Sequence, residues 1–320
     1  MGKSVLLIGG SGFIGSSVAG LLVNQGCNVT VAARSSEVPD GISGLARDFP
    51  ELLNYASGDC SNEEFVSGLI EAHEDIVYLA HSWKGRALSA GRPIDLTGNL
   101  EQALCVMSIS AQFGRPLILI STGGALYGET DSFPIHETQD ANPVSAYGLT
   151  KLMIESYAGY FARTAGLMYT CLRPGNAYGE GQLPFRGQGF VATAIARAIQ
   201  GVPVQIYGRP GAVRDYVYIS DLAEAIVLAV EKGAVGKTYN IGTGQGSSND
   251  HILDMLDPVC AQFRIEIIRE YLPGRQQDVS KNILDSGAFI KDTGWRPRVG
   301  LCSGLEKAFN WLRENPSLLV

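Results

Sequence analysis

Ser4-Val5-Leu6-Leu7-Ile8-Gly9-Gly10-Ser11-Gly12-Phe13-Ile14-Gly15 is the stretch on which the fold turns. A short apolar run, long enough for one buried strand, passes directly into glycines at 9, 12 and 15. Ile14–Asn24 then carries apolar residues at three- and four-residue steps, the period of a helix. Strand, glycine turn and helix in that order make a site for an anion. Glycine permits the tight turn and the close backbone approach, and the first amides of the helix point at whatever binds there. A structural turn would use the same glycines, but the strand before and the helix after favour a dinucleotide pyrophosphate.

The pattern repeats outward from this unit. Asn28–Ala32, Ile76–Ala80 and Leu117–Ile120 read as strands, and Asn62–Glu71, Asn99–Phe113 and Tyr147–Thr164 as helices, with Met168–Leu172 a further strand. Such alternation predicts an α/β fold, a doubly wound parallel sheet with helices on both faces and ligands beyond the carboxyl ends of its strands. After Pro174 the texture changes to Gly, Pro and Gln, with one helical stretch at Gly189–Gln200. Asp215–Ile219 and Leu222–Glu231 look like a strand and helix that return to the sheet, and an amphipathic helix at Ser303–Glu314 ends the chain. The expected division is residues 1–174 plus about 215–232 as the dinucleotide domain, with 175–214 and 233–320 as a smaller α/β substrate-binding lobe.

Composition narrows the classes. The 320 residues include 39 glycines, above the ~7% background, and 45% hydrophobic residues, which excludes a disordered or coiled-coil chain. Lys+Arg 25 against Asp+Glu 32 leaves a net charge of −7, so no basic face for nucleic acid is expected. No apolar run approaches the ~18 residues of a membrane span, the start lacks a signal-peptide core, and Leu6 breaks a myristoylation motif. Cysteines at 27, 60, 105, 171, 260 and 302 include no Cys-x-x-Cys pair, and four scattered histidines offer no metal spacing. A cytoplasmic protein with reduced thiols, no metal, no nucleic-acid partner and no membrane partner is expected.

Two further motifs carry chemistry. Val31-Ala32-Ala33-Arg34-Ser35-Ser36 closes the second strand with no acid to hold an adenosine ribose 2′-hydroxyl, and Arg34 stands where a 2′-phosphate would lie. The cofactor is therefore NAD or NADP, with Arg34 leaning to NADP unless it stacks on the adenine or is solvated. Asp59 is placed to meet the adenine. Ser145-Ala146-Tyr147-Gly148-Leu149-Thr150-Lys151 puts Tyr147 and Lys151 four apart on one helix face. A nearby ammonium favours phenolate, so Tyr147 is expected to have a lowered pKa and to exchange a proton with a sugar hydroxyl. Lys151 can also bond the nicotinamide ribose.

With these motifs in hand, the chain resembles an extended short-chain dehydrogenase/reductase of the nucleotide-sugar epimerase/dehydratase family, similar to UDP-glucose 4-epimerases. The likeness is carried by Gly9–Gly15, Tyr78-Leu79-Ala80, Asn99, Ser121–Gly128 and Tyr147/Lys151, then by Arg173-Pro174-Gly175-Asn176-Ala177-Tyr178-Gly179. It continues through Arg214-Asp215-Tyr216-Val217, Asp221, Tyr239-Asn240-Ile241-Gly242 and Pro273-Gly274-Arg275 with Asp278. The resemblance implies a Rossmann domain that binds the cofactor through Gly9, Gly12, Phe13, Ile14, Gly15, Arg34, Asp59, Ala80, Asn99 and Lys151. It implies a nucleotide sugar held by Asn176, Gly189, Val191, Gln205, Tyr207, Arg214, Arg275 and Asp278, with the arginines on the diphosphate. It also implies a homodimer through the helices 99–113 and 147–164.

The chain departs from the family at one place. Of three successive hydroxyl positions at the end of the fifth strand, the third is Gly123. Thr122 from a shifted backbone, a water, or nothing takes its place beside Tyr147; Thr122 joins Tyr147 and Lys151 as the catalytic set. The same segment bears on the reaction. Gly123-Gly124-Ala125 lacks the Asp-Glu pair with which a family dehydratase eliminates water. The expected function is a UDP-hexose 4-epimerase working through a transient 4-keto sugar. The alternatives are an NADPH-dependent 4-keto-sugar reductase and, from another class, a non-catalytic dinucleotide sensor, which would have lost Tyr147 or Lys151.

Overall fold

The computed structural model describes residues 2–81, 96–187, 189–232, 235–275 and 279–319. The first part runs β1 (Ser4–Ile8), α1 (Phe13–Asn24), β2 (Asn28–Ala33), α2 (Asp40–Asp48), β3 (Leu53–Ser57), α3 (Glu63–Glu71) and β4 (Asp75–Tyr78). It continues through α4 (Leu96–Gln112), β5 (Leu117–Ile120), α5 (Ala146–Ala165) and β6 (Tyr169–Pro174). Then come β7 (Asn176–Tyr178), α6 (Phe190–Ile199), β8 (Val204–Tyr207), β9 (Val213–Tyr218), α7 (Ile219–Lys232) and β10 (Lys237–Ile241). The chain closes with β11 (Gly246–Ser247), α8 (Asn249–Ala261), β12 (Arg269–Leu272), β13 (Lys281–Asn282), α9 (Gly287–Thr293), α10 (Leu301–Glu314) and a 3₁₀ turn, Pro316–Leu318.

Seven strands form one parallel sheet in the order β10-β6-β5-β4-β1-β2-β3. Its central strands are apolar on both faces because helices cover both: Val5, Leu7, Val29 and Val31 face one layer, Leu6, Ile8, Ile76 and Tyr78 the other. Chain direction across the sheet reverses between β1 and β4, and the crevice beyond their carboxyl ends is where a doubly wound sheet binds its ligand. This is the α/β architecture expected from the alternation.

One expected strand belongs elsewhere. The segment 215–219 does not return to the large sheet: β9 is the centre of a four-stranded sheet with β7, β11 and β13. The seventh strand of the large sheet is β10, parallel to β6, from a stretch assigned by texture to the small lobe. Alternation cannot tell which sheet an isolated strand joins; that choice is made by the partner edge. α7 does pack on α1 and the large sheet, so helix and strand of the expected pair separate. A two-stranded parallel pair, β8 with β12, completes the lobe around α6, α8 and α10.

The glycines after β1 divide by cause. Gly9 has φ +81°, and a Cβ there would lie 2.7 Å from the Ala80 backbone. A Cβ on Gly15 would lie 2.5 Å from Gly10 Cα, within the turn itself. At Gly12 the nearest atom would be 3.7 Å away, so internal packing does not require glycine there. Gly15→Ala is expected to destabilise by about 1–3 kcal/mol through overpacking. Gly12→Ala should leave the melting temperature unchanged and weaken dinucleotide binding. Thermal melts and a cofactor titration of both variants separate the two roles.

Candidate active site

The site is assembled at the carboxyl end of the large sheet, where α5 begins beside the end of β5. Ser145 caps α5, its hydroxyl accepting the Gly148 amide at 3.1 Å. Gly148 fits because a Cβ would lie 2.2 Å from the Ala125 carbonyl oxygen, so α5 starts hard against the loop after β5. Two turns along, Arg173 of β6 grips Glu155 of α5 through Nε and Nη2, the latter at 2.6 Å, and donates to the Tyr127 hydroxyl at 2.8 Å. Tyr127 in turn donates to Asn240 Oδ1 at 2.7 Å. This buried network locks α5 to the loop 121–128 and to β10.

Lys151 is 3% exposed and its Nζ donates to the Ile120 carbonyl at 2.9 Å. Burial lowers its pKa to about 8. Tyr147 departs from expectation. Its pKa is not lowered by Lys151; burial pushes it up to about 12, and a hydrogen bond with the Thr122 side chain works against that rise. Desolvation disfavours the phenolate more than the adjacent threonine favours it. Next to the phenol lies His81, ring edge to ring face, with centroids 4.8 Å apart and planes at 78°. Burial, then the Lys151 charge, depresses its pKa to about 3, so the imidazole is neutral.

The missing third hydroxyl has a steric reason. A Cβ at Gly123 would lie 2.4 Å from Leu284 Cδ1 and 2.8 Å from the Arg173 carbonyl oxygen. Asn282 Nδ2 donates to the Gly123 carbonyl at 3.0 Å and holds the backbone there. The Thr122 side chain is hydrogen-bonded to the Tyr147 hydroxyl. The loop is further fixed from behind by Asp215, fully buried, whose carboxylate accepts from the Thr243 amide and hydroxyl and from the Gly244 and Leu284 amides.

The remaining expected residues fall into two groups. Asn176, on β7, has its Oδ1 beside Gly124, and Arg214 lies on the neighbouring β9, its Nη1 donating to the Val213 carbonyl. Gln205 and Tyr207 lie on the half-buried side of β8, with Gln205 bonded to Glu270 and Arg275 Cζ stacked 3.4 Å above the Tyr207 ring. Val191 is 1% exposed in the lobe core, so its side chain is not available to a ligand; Gly189, at φ +88°, is half-buried just before α6. Asp278 lies outside the described residues. Asn99 is buried in the first turns of α4, and Ala80 abuts Gly9. Arg34 is exposed, and its charge helps hold the Asp59 carboxyl below its ordinary pKa, after two hydrogen bonds from Ser61.

The groups present suit a dinucleotide. Gly12 caps α1 with no side-chain hydrogen bond, and the nearest atom to a Cβ there would be 3.7 Å away, leaving the first-turn amides without a competing side chain. Phe13 and Ile14 in that turn also pack on the lobe core, so the amides lie at the junction of the two parts. Among the described residues there is no cluster of side chains able to hold a metal.

A doubly wound sheet with a glycine-capped first helix, and with a half-buried tyrosine and a buried lysine four residues apart on one helix, marks a nicotinamide-dependent enzyme. A family model, the NAD dependent epimerase/dehydratase family, matches residues 5–242, and the chain belongs to that family. It is 27% identical over 312 residues to a putative UDP-glucose 4-epimerase of Methanocaldococcus jannaschii, covering 97% of this chain and 99% of that one. It is also 27% identical over 325 residues to a dTDP-4-dehydro-6-deoxyglucose reductase of Escherichia coli, covering 97% and 98%. The structure resembles the UDP-glucose 4-epimerase of Thermotoga maritima crystallised with UDP-glucose, with TM-score 0.86 and 34% identity over 98% of this chain and 99% of that chain.

Asp215, Leu284, Asn282 and His81 were not singled out from sequence. Asp215 sits inside a quoted motif and could have been suspected. Leu284 had no signal at all, since its contact with Gly123 spans 161 positions (284 − 123). Gly123→Ser, which restores the family's hydroxyl on paper, is expected to destabilise by about 1–3 kcal/mol and to lower turnover. Leu284→Ala in the same chain should relieve this in part, because the Arg173 carbonyl still obstructs. Denaturant unfolding of single and double variants measures both effects.

Proposed function

We propose that the protein catalyses reversible 4-epimerisation of a UDP-hexose through a 4-keto sugar, with the nicotinamide cofactor retained. The observation that carries this reading is the group of half-buried Tyr147 with buried Thr122 and Lys151 next to a loop whose positions 123–125 hold no acid. Elimination of water needs an added acid and base; epimerisation needs one group that takes and returns a proton.

Gly9, Gly12, Phe13, Ile14 and Gly15 would hold the pyrophosphate, Arg34 and Asp59 the adenosine end, and Ala80, Asn99 and Lys151 the nicotinamide riboside. A nicotinamide held there would supply reversible hydride transfer with the sugar. As the phenolate, Tyr147 would take the proton of the C4 hydroxyl and return it to the same oxygen, and Thr122 would hydrogen-bond that oxygen. Asn176, Arg214 and Arg275 grip the diphosphate, a role suited to guanidinium forks, while the sugar turns. Gln205, Tyr207, Gly189 and the backbone at Val191 would line the base. NAD fits better than NADP: the ionised Asp59 carboxylate near Arg34 would repel a 2′-phosphate. Arg34 remains the observation that favours a 4-keto-sugar reductase. The six free cysteines suit a reducing compartment, and we place the reaction in the cytoplasm.

Purified protein given UDP-glucose or UDP-N-acetylglucosamine without added cofactor is expected to form the 4-epimer. Tyr147→Phe should lower turnover by ~10²–10⁴-fold with cofactor binding kept. NADPH oxidation in step with loss of a 4-keto nucleotide sugar, and no 4-epimer, would replace the epimerase with the reductase.

A homodimer through α4 and α5 belongs to the same reading. These helices pack together, and α5 leaves Leu149, Tyr157 and Tyr160 between 38% and 50% exposed on related turns. Light scattering at micromolar concentration should give twice the chain mass, and Tyr157→Asp with Tyr160→Asp should give the monomer.

A further inference from the structure

The geometry points to His81 as a positioning residue that fixes the Tyr147 ring for proton exchange; this rests on the reading of Tyr147 as the proton-exchanging group. A tyrosine in the first turn of a helix can turn about two side-chain bonds, so its hydroxyl needs restraint to meet one oxygen of a substrate. Thr122 restrains it at the hydroxyl, through a hydrogen bond. His81 restrains it at the ring, through the edge-to-face contact at 4.8 Å and 78°. Aromatic pairs favour this arrangement over a face-to-face one, so the contact sets an orientation as well as filling space.

The place of His81 in the chain strengthens the case. It follows Ala80, whose backbone abuts Gly9, so the ring hangs from the same crevice edge that packs against the glycine loop. Its neutrality matters as well. A neutral ring can share a buried site with the Lys151 ammonium without repulsion, whereas an imidazolium could not.

The test uses the full-length protein labelled with 3-fluorotyrosine, the Tyr147 resonance being assigned by its loss in Tyr147→Phe. His81→Ala is expected to shift and broaden that resonance, and His81→Phe to keep it shifted and sharp. In turnover of the UDP-hexose, a misplaced reacting group costs up to ~10²-fold, so His81→Ala should lower kcat about tenfold or more. KM should stay within about threefold, because ground-state binding is untouched. His81→Phe should recover most of kcat; His81→Asn, which removes the ring but keeps a polar side chain, should behave as His81→Ala and serves if the alanine variant does not fold. A Tyr147 resonance unmoved in His81→Ala and His81→Asn, or an unchanged kcat in both, overturns the proposal. Turnover retained in Tyr147→Phe would instead overturn the catalytic reading, and the resonance still decides whether His81 holds the ring.

Discussion

The buried carboxylate of Asp215 is the point on which the geometry of the site depends. It lies on β9 in the small sheet, yet it accepts hydrogen bonds from Thr243 and Gly244, just past β10 of the large sheet, and from Leu284. A carboxylate withdrawn from water is costly unless its oxygens are satisfied. Here the donors come from separate segments, so satisfying the charge requires those segments to be in place. Burial still raises its pKa, which measures how dry the knot is. The Leu284 side chain, held by this knot, covers Gly123, and Asn282 holds the Gly123 carbonyl. The end of β5 is therefore shaped from the small lobe.

The same dryness governs the reactive groups. Tyr147 is pushed up to about 12 and Lys151 down to about 8, and burial is the first cause of both. The two shifts have opposite signs but one meaning: each group is moved toward its neutral form. His81 follows them, with its pKa depressed to about 3. At neutral pH the Lys151 ammonium is then the charge that stands among neutral Tyr147 and His81. Of the cations proposed for the diphosphate, Arg214 is half-buried and Arg275 exposed.

Rigidity at the site comes from polar networks more than from apolar packing. Arg173 joins Glu155 on α5 to Tyr127 in the loop, and Tyr127 joins Asn240 on β10. Each member satisfies another, and together they fix the height of α5 against β5 and β6. Lys151, bonded to the carbonyl that ends β5, continues that line to the reacting groups. A shift of α5 along its axis would break several of these bonds at once.

Much of this was readable from local pattern. Short continuous apolar runs located β1 and β5, and period-3.6 runs located α1 and α5, within a residue or two, because these local patterns follow directly from which faces are buried. The glycine turn and the Tyr147/Lys151 spacing were equally legible, being short-range. What the sequence by itself determined is therefore the class of fold, the glycine turn after β1 and the Tyr147/Lys151 spacing on one helix. The tertiary structure decided which sheet received β9 and β10, since pairing depends on a partner edge that no local run encodes. It decided the sign of the Tyr147 shift, because desolvation depends on everything packed around the phenol. It also decided why residue 123 is glycine and Thr122 meets the tyrosine: Leu284, far along the chain, occupies the space a side chain would need.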